Sequence, residues 1–332
     1  MKQHYMVSEE QEDLRIDRYL SEACEELSRS YIQKLLKNQD VLVNGGPVKA
    51  SYKVAAGDQI EVDVPEAVEP EIVAEEMDLD ILYEDQDVIL VNKPKGMVVH
   101  PAAGHYTGTL VNGLMAHCRD ELSGINGVMR PGIVHRIDMD TTGVLIVCKN
   151  DFAHNSIAAQ LKEHSITRKY RAIVYGVIKE DEGTVDAPIG RHPVDRKKMS
   201  INEKNGRRAV THYRVLKRFS KYTYIECQLE TGRTHQIRVH MASLGHPLLG
   251  DSLYHENVFK EDSINFPGQL TGRKNSKEKL FTRAALHAWK LIFYHPFTDK
   301  KIILEAPMPA DFRSFFGNMA TEPKRNILPG GE

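Results

Sequence analysis

Between Glu66 and Asp87 the chain carries ten acidic residues and no basic one, with Pro65 and Pro70 at or beside its start. A stretch of one charge repels itself, and prolines break both helices and ladders, so this segment reads as a connector that divides the chain. The predicted organisation is a small module over residues 1–65, an acidic linker over 66–80, a large domain over 81–316 and a tail over 317–332 that frays. A length of 332 residues suits that division, being about two domains' worth. With 41% hydrophobic and 27% charged residues the chain is globular in composition, which excludes disordered, collagen-like and coiled-coil classes.

Charge patterning also bears on partners. The net charge of -2 argues at first against a nucleic-acid protein. Removing the ten acids of the connector, however, leaves the remainder at +8. A second stretch, Gly190 to Arg218, carries ten Lys and Arg against Asp195 and Glu203 only, a local net of +8. Arg196-Lys197-Lys198 and Arg207-Arg208 lie within it beside Met199 and Tyr213, a composition suited to a polyanion, since Lys and Arg release counterions when they neutralise phosphates. Cys24, Cys118, Cys148 and Cys227 are widely separated, with neither a disulfide framework nor a zinc spacing, and read as reduced thiols. No apolar run approaches the roughly 20 residues of a membrane span, and no secretory h-region is present. The expectation is a cytoplasmic monomer with no membrane.

Within residues 1–65, Leu14, Ile16, Tyr19, Leu20, Ala23 and Leu27 recur at helical spacing. Ser28 or Ser30 can cap a second helix carrying Ile32, Leu35 and Leu36. Val41-Leu42-Val43 then runs into Asn44-Gly45, a strong hairpin signal, and Val54 to Val64 suggests another strand pair around Gly57-Asp58. Together with Arg15-Ile16-Asp17-Arg18-Tyr19-Leu20, Ser28 to Leu35 and Gly57 to Ile60, this pattern resembles the α-L RNA-binding module of the S-four ribosomal protein type. The resemblance implies that Arg15, Arg29, Ser30 and Lys34 face RNA phosphates; the alternative is an ordinary solvated helix surface.

The larger domain shows short apolar runs (Val88 to Val91, Val144 to Val147, Tyr170 to Tyr175, Thr223 to Leu229, Lys301 to Leu304) and a helical stretch, Phe152 to His164. Without regular βαβ alternation, the predicted class is α+β around a mixed, largely antiparallel sheet with flanking helices. Signatures for nucleotides, flavins, an esterase elbow or zinc are absent; Gly268 to Ser276 only loosely imitates a phosphate loop. The expectation is an enzyme with no cofactor and no metal.

Two blocks carry the candidate chemistry. In His135-Arg136-Ile137-Asp138-Met139-Asp140-Thr141-Thr142-Gly143, the paired acids allow a simple turn, a magnesium-dependent phosphotransferase of DxDxT type, or a nucleophilic Asp138 kept ionised by arginines. The phosphotransfer reading lacks a cleanly apolar strand before the first Asp, since His135 and Arg136 stand there. The second block, Glu230-Thr231-Gly232-Arg233-Thr234-His235-Gln236-Ile237-Arg238-Val239-His240-Met241, is too polar for a core unless each group finds a partner.

These blocks, with Asn92 to Pro101, Thr167 to Tyr170, Arg191 to Pro193, Ala209 to Tyr213 and Ala285 to Ala288, are similar to the RluA-type pseudouridine synthases, and within them to the large-subunit ribosomal RNA D type. Ile137 and Met139 depart from the more usual Leu and Lys. The resemblance implies isomerisation of uridine to pseudouridine without redox change. It makes Asp138 the essential carboxylate, Arg238 its partner, Tyr170 the ring that stacks on uracil, and Arg136 the residue that fills the stack left by a flipped uridine. Thr141, Arg233, His235 and Gln236 become supporting or RNA-contacting groups. The implied partner is structured RNA, large-subunit rRNA or a pre-ribosomal particle, with the D type pointing to the helix-69 loop. A non-catalytic ribosome-assembly factor of the same fold is the competing reading, and it has no need of Asp138, Tyr170 and Arg238 together.

Overall fold

The computed structural model describes residues 2–24, 27–64, 72–102, 104–119, 121–127, 130–255 and 281–317, in two compact units, residues 1–70 and 71–332. The start of the expected linker (66–71), the loose phosphate-loop imitation at 268–276 and the expected frayed tail from Asn318 onward lie outside the described residues.

In the first unit, β1 (Lys2–Met6) precedes two helices, α1 (Ile16–Ala23) and α2 (Arg29–Asn38), and then β2 (Val41–Val43), β3 (Gly46–Pro47) and β4 (Gln59–Asp63). Ser28 caps α2 by accepting from Tyr31 N at 3.3 Å, as its position predicts. Asn44 and Gly45 both have positive φ, +50° and +81°, which matches the twist of the β2–β3 hairpin. The apolar stripes of the helices close a core of Ile16, Leu20, Ile32, Leu35, Ile60 and Val62. One expectation differs. Val54 to Val64 is not a self-contained strand pair: β4 lies between β1 and β2, all antiparallel, and Val54 N bonds instead to Leu14 O. The reason is local, because the Asp58 carboxylate collects Ala55 N, Asn44 Nδ2 and Tyr52 OH and so turns the chain.

The second unit contains β5 (Ile81–Glu84), β6 (Val88–Lys93), α3 (Leu110–Cys118), β7 (Thr142–Cys148), α4 (Asp151–Lys162), β8 (Thr167–Tyr175), β9 (Glu182–Asp186), β10 (Ile189–Arg191), β11 (Met199–Ile201), β12 (Val210–Arg218), β13 (Tyr222–Leu229), α5 (Gln236–Ser243), β14 (Leu286–Tyr294), β15 (Lys301–Glu305) and α6 (Ala310–Phe316). Among the described residues one sheet runs β5-β6-β7-β14-β8-β13-β12-β9, with β15 on β14, and β10 and β11 form a separate ribbon. Among the described residues only β7 and β14 pair in parallel, through His287 with Thr142 and Ala288 with Gly143; the class is the predicted α+β with a mixed, largely antiparallel sheet. One apolar layer joins Leu114, Leu145, Tyr170, Cys227 and Ile237, and a second joins Leu90, Ile146, Ile157 and Phe293. The described part of the expected linker, residues 72–80, packs on this unit. Ile72 is buried, Asn112 Nδ2 donates to Val73 O at 2.8 Å, and Glu75 N donates to Asn112 O. Ile72 and Leu79 pack inward, Val73 stays exposed, and Glu75 accepts from Gly108 N.

Candidate active site

The loop before β7 carries Asp138, and two buried cations set its path. Lys93, fully buried at the end of β6, donates from Nζ to Pro94 O, Met97 O and Met139 O, each at 2.8 Å. Arg283 donates from Nη1 to Asp140 O at 2.9 Å and is itself held by Asp311. Thr141 N closes a turn on Asp138 O at 3.1 Å, and His135 Nε2 accepts from Ile146 N. Gly143, at φ +113°, is required where this loop enters the sheet, because a Cβ there would collide with the carbonyl of Ala288 on β14.

The polar block on and before α5 meets that loop. Arg238 Nη1 donates to Asp138 Oδ2 at 3.2 Å, while its Nε and Nη2 form a bidentate pair with the buried Asp251 at 2.7 and 2.9 Å. Burial works against the Arg238 charge, but the hydrogen bonds and charges of Asp251 and Asp138 more than offset it and push its pKa above the ordinary value. His235, in a left-handed conformation before α5, bonds through Nδ1 to Tyr254 OH and brings Nε2 to 4.0 Å from Asp138 Oδ1. Burial lowers its pKa despite the Asp138 charge, which favours a neutral ring. Tyr170 lies on β8 with its phenol pKa raised by burial and, after it, by Asp138.

Asp138 and Tyr170 line one cleft of about 720 Å³, together with Arg136, Thr141, Arg233, His235 and Gln236, and Arg238 joins these seven through its bond to Asp138, so the eight residues predicted for this site come together. Gln236 is the exception in kind. Its Oε1 accepts from Thr231 Oγ1 and Arg233 N, and its Nε2 donates to Val210 O and Thr211 Oγ1, which leaves no capacity for RNA. Of the two roles expected for it, supporting or RNA-contacting, these bonds fit the supporting one, a spacer between α5 and β12. The polarity that looked unsuited to a core is resolved in the same way, with His240 bonding to Thr211 Oγ1 and Ala187 O. The geometry adds Lys93, His100, Arg168, Asp251 and Arg283, which sequence reasoning left unassigned. His100 lines the cleft with Nδ1 buried and without a partner among the described residues, and burial followed by Arg130 and Arg136 lowers its pKa to about 4.

In the first unit, Arg15 and Arg29 converge on the fully buried Asp17, joined by Gln33. Burial opposes ionisation of Asp17, but these donors hold its carboxyl well below the usual range. Both arginine side chains stay about half exposed, and Ser30 and Lys34 are exposed on the same helix. Among the described residues one trio, Asp85, Asp87 and His295, has metal-ligand proximity, but its atoms are engaged in hydrogen bonds with Tyr83, Asn150 and backbone amides.

A guanidinium-paired carboxylate in a cleft lined by arginines and a tyrosine suits an anionic substrate that carries a ring. Comparison with known proteins agrees. The family described as RNA pseudouridylate synthase matches residues 87–243, and the S4 domain family matches residues 14–60. A Bacillus subtilis protein described as an uncharacterized RNA pseudouridine synthase is 54% identical over 312 residues, covering 94% of this chain and 96% of the relative. The chain belongs to the RNA pseudouridylate synthase family. It is accordingly an RNA pseudouridine synthase, an isomerase, and the phosphotransfer and binding-only readings are set aside. The ribosomal large subunit pseudouridine synthase D of Zymomonas mobilis is 44% identical over 313 residues, covering 93% of this chain and 95% of that one. Among solved structures, human RNA pseudouridylate synthase domain containing 1 superposes with a TM-score of 0.53 at 27% identity, covering 72% of this chain and 86% of its own. Among the described residues no helix is long and apolar enough to cross a membrane.

Proposed function

We propose that this pseudouridine synthase acts on large-subunit ribosomal RNA, free or in a pre-ribosomal particle, with Asp138 as the carboxylate that drives the isomerisation. The observation that carries the assignment of Asp138 is its place at the meeting point of the loop held by Lys93 and Arg283 and the guanidinium of Arg238, inside the cleft that also holds Tyr170. Arg238 orients and charges the carboxylate, Tyr170 stacks on the uracil, and Arg136, exposed and without an ion pair among the described residues, fills the gap left in the RNA stack. Thr141 fixes the Asp138 turn, and Arg233 and His235 contact the RNA around it. Arg15, Arg29, Ser30 and Lys34 form the phosphate-facing side of the first unit. The substrate class rests on relatives of the D type, such as that of Pseudomonas aeruginosa at 42% identity. Four buried free cysteines suit the reducing cytoplasm, where the enzyme works as a monomer without cofactor or metal.

Mapping pseudouridines in rRNA from cells lacking the protein tests the substrate. The expected outcome is loss of one or more pseudouridines in large-subunit rRNA, restored by the wild-type gene; an unchanged large-subunit map contradicts the reading.

A further inference from the structure

Cations around the cleft are not equivalent. Arg238 has two carboxylates, and Arg283 has Asp311. Arg168 on β8 is 9% exposed, and among the described residues no carboxylate lies within ion-pair distance of it. Its one hydrogen bond there runs from Nη2 to the Glu230 carbonyl at 3.1 Å, and its Nε is buried with no partner. The nearby Glu230 carboxylate is taken by Arg208 and His212, at 3.1 and 2.8 Å. Burying a guanidinium without a counter-ion is costly, and burial does lower the Arg168 pKa. Such a group persists in a fold where an anion completes it.

The surroundings are shaped for that anion. Arg168 and Tyr170 stand two residues apart on the same face of β8, about 7 Å, comparable to the reach from a base to the phosphate of its own nucleotide. Both line the cleft. Gly232 leaves room for the guanidinium, since a Cβ there would sit 2.7 Å from Arg168 Nη1.

We infer that Arg168 binds the phosphodiester flanking the uridine that is turned over, the RNA phosphate serving as the missing counter-ion. The inference rests on the cleft being the uridine site. It assigns to Arg168 the placing of the nucleotide, so that binding energy at the phosphate fixes the base against Tyr170 and Asp138.

The test uses the full-length enzyme and a synthetic stem–loop built around the mapped uridine, with a neutral methylphosphonate replacing the linkage on its 5′ or its 3′ side, one at a time. Wild type should lose about 10- to 100-fold in kcat/KM at one of the two linkages. Arg168→Gln should show a similar loss on the native RNA and none further at that linkage, while Arg168→Lys recovers part. Gly232→Ala, which displaces the guanidinium tip and leaves the residue itself in place, should resemble Arg168→Gln. The thermal midpoint of Arg168→Gln should equal or exceed that of wild type, because an uncompensated buried charge has gone. A methylphosphonate penalty as large in Arg168→Gln as in wild type overturns the inference. So does a midpoint several degrees lower with equal losses on every RNA, which is the mark of a structural residue. Inorganic phosphate at matched ionic strength gives a readout independent of the substrate: it should raise the midpoint of wild type more than that of Arg168→Gln even if the modified uridine lies outside large-subunit rRNA, and equal rises overturn the inference.

Discussion

Asp138 owes its placement to buried charges around its loop. Arg238 is shared between Asp138 and Asp251, and because Asp251 is bidentate and buried it fixes the guanidinium plane from behind. Lys93 works on the loop itself, through the Met139 carbonyl. Burial pushes the Lys93 ammonium down to about 7, against the pull of Asp140 and Asp138. The unfolded chain keeps the ordinary Lys value near 10.5. Between these two values the unfolded state therefore binds more protons than the folded one, so this residue makes stability rise with pH from about 7 to about 10. Urea unfolding of wild type and Lys93→Met at several pH values should show wild type gaining on the variant by up to about 1.4 kcal/mol per pH unit in that window. Parallel curves would contradict the assignment. Lys93 was hard to see in the sequence because its role lies in a contact 46 residues away; the visible signal was a lysine closing the apolar run Val88 to Val91.

At the scale of elements, the parallel junction between β7 and β14 aims the Asp138 loop. The one non-antiparallel pair among the described residues brings Ala288 against Gly143, and no side chain fits between them. Gly143→Ala should cost about 3 kcal/mol in chemical denaturation and carry turnover down with it. A stable and fully active variant would show that the loop does not depend on this close approach. Much at this scale was legible. The capped α2, the Asn44-Gly45 hairpin and the apolar strands β6, β7 and β13 follow from capping, turn chemistry and run length. The α5 segment was not, since its polar residues offend the usual apolar stripe; partners supplied by β12, the chain before β10 and the loop before α5 make Gln236 and His240 tolerable inside. The pairing of β4 with β1 was likewise hidden, because nothing in Val54 to Val64 reveals which strand the Asp58 turn will present it to.

At the scale of the molecule, the net charge of -2 conceals the basic stretch from Gly190 to Arg218, offset by the acidic connector, while residues 1–65 carry eight Lys and Arg against twelve Asp and Glu and still expose cations on one side. Each unit presents its own cationic face. In the first, Arg15 and Arg29 are preorganised on Asp17; in the second, the exposed Arg196 and Lys197 lie between β10 and β11. Removing residues 1–65 should lower affinity for full-length large-subunit rRNA about tenfold or more, with a shallower salt dependence, while kcat/KM on a short stem–loop changes far less. Equal losses on both RNAs would make the first unit a structural support.

The site was legible as a list of residues through family resemblance, whereas its electrostatic logic was not, because Asp138 and Arg238 are 100 residues apart and Asp251 lies outside both motif blocks. The account stands on the Asp138 carboxylate, and release of tritium from RNA labelled at uracil carbon 5 measures its action directly. Asp138→Asn should release none above background while binding the same RNA with wild-type affinity; tritium release at a rate near that of wild type would contradict the assignment.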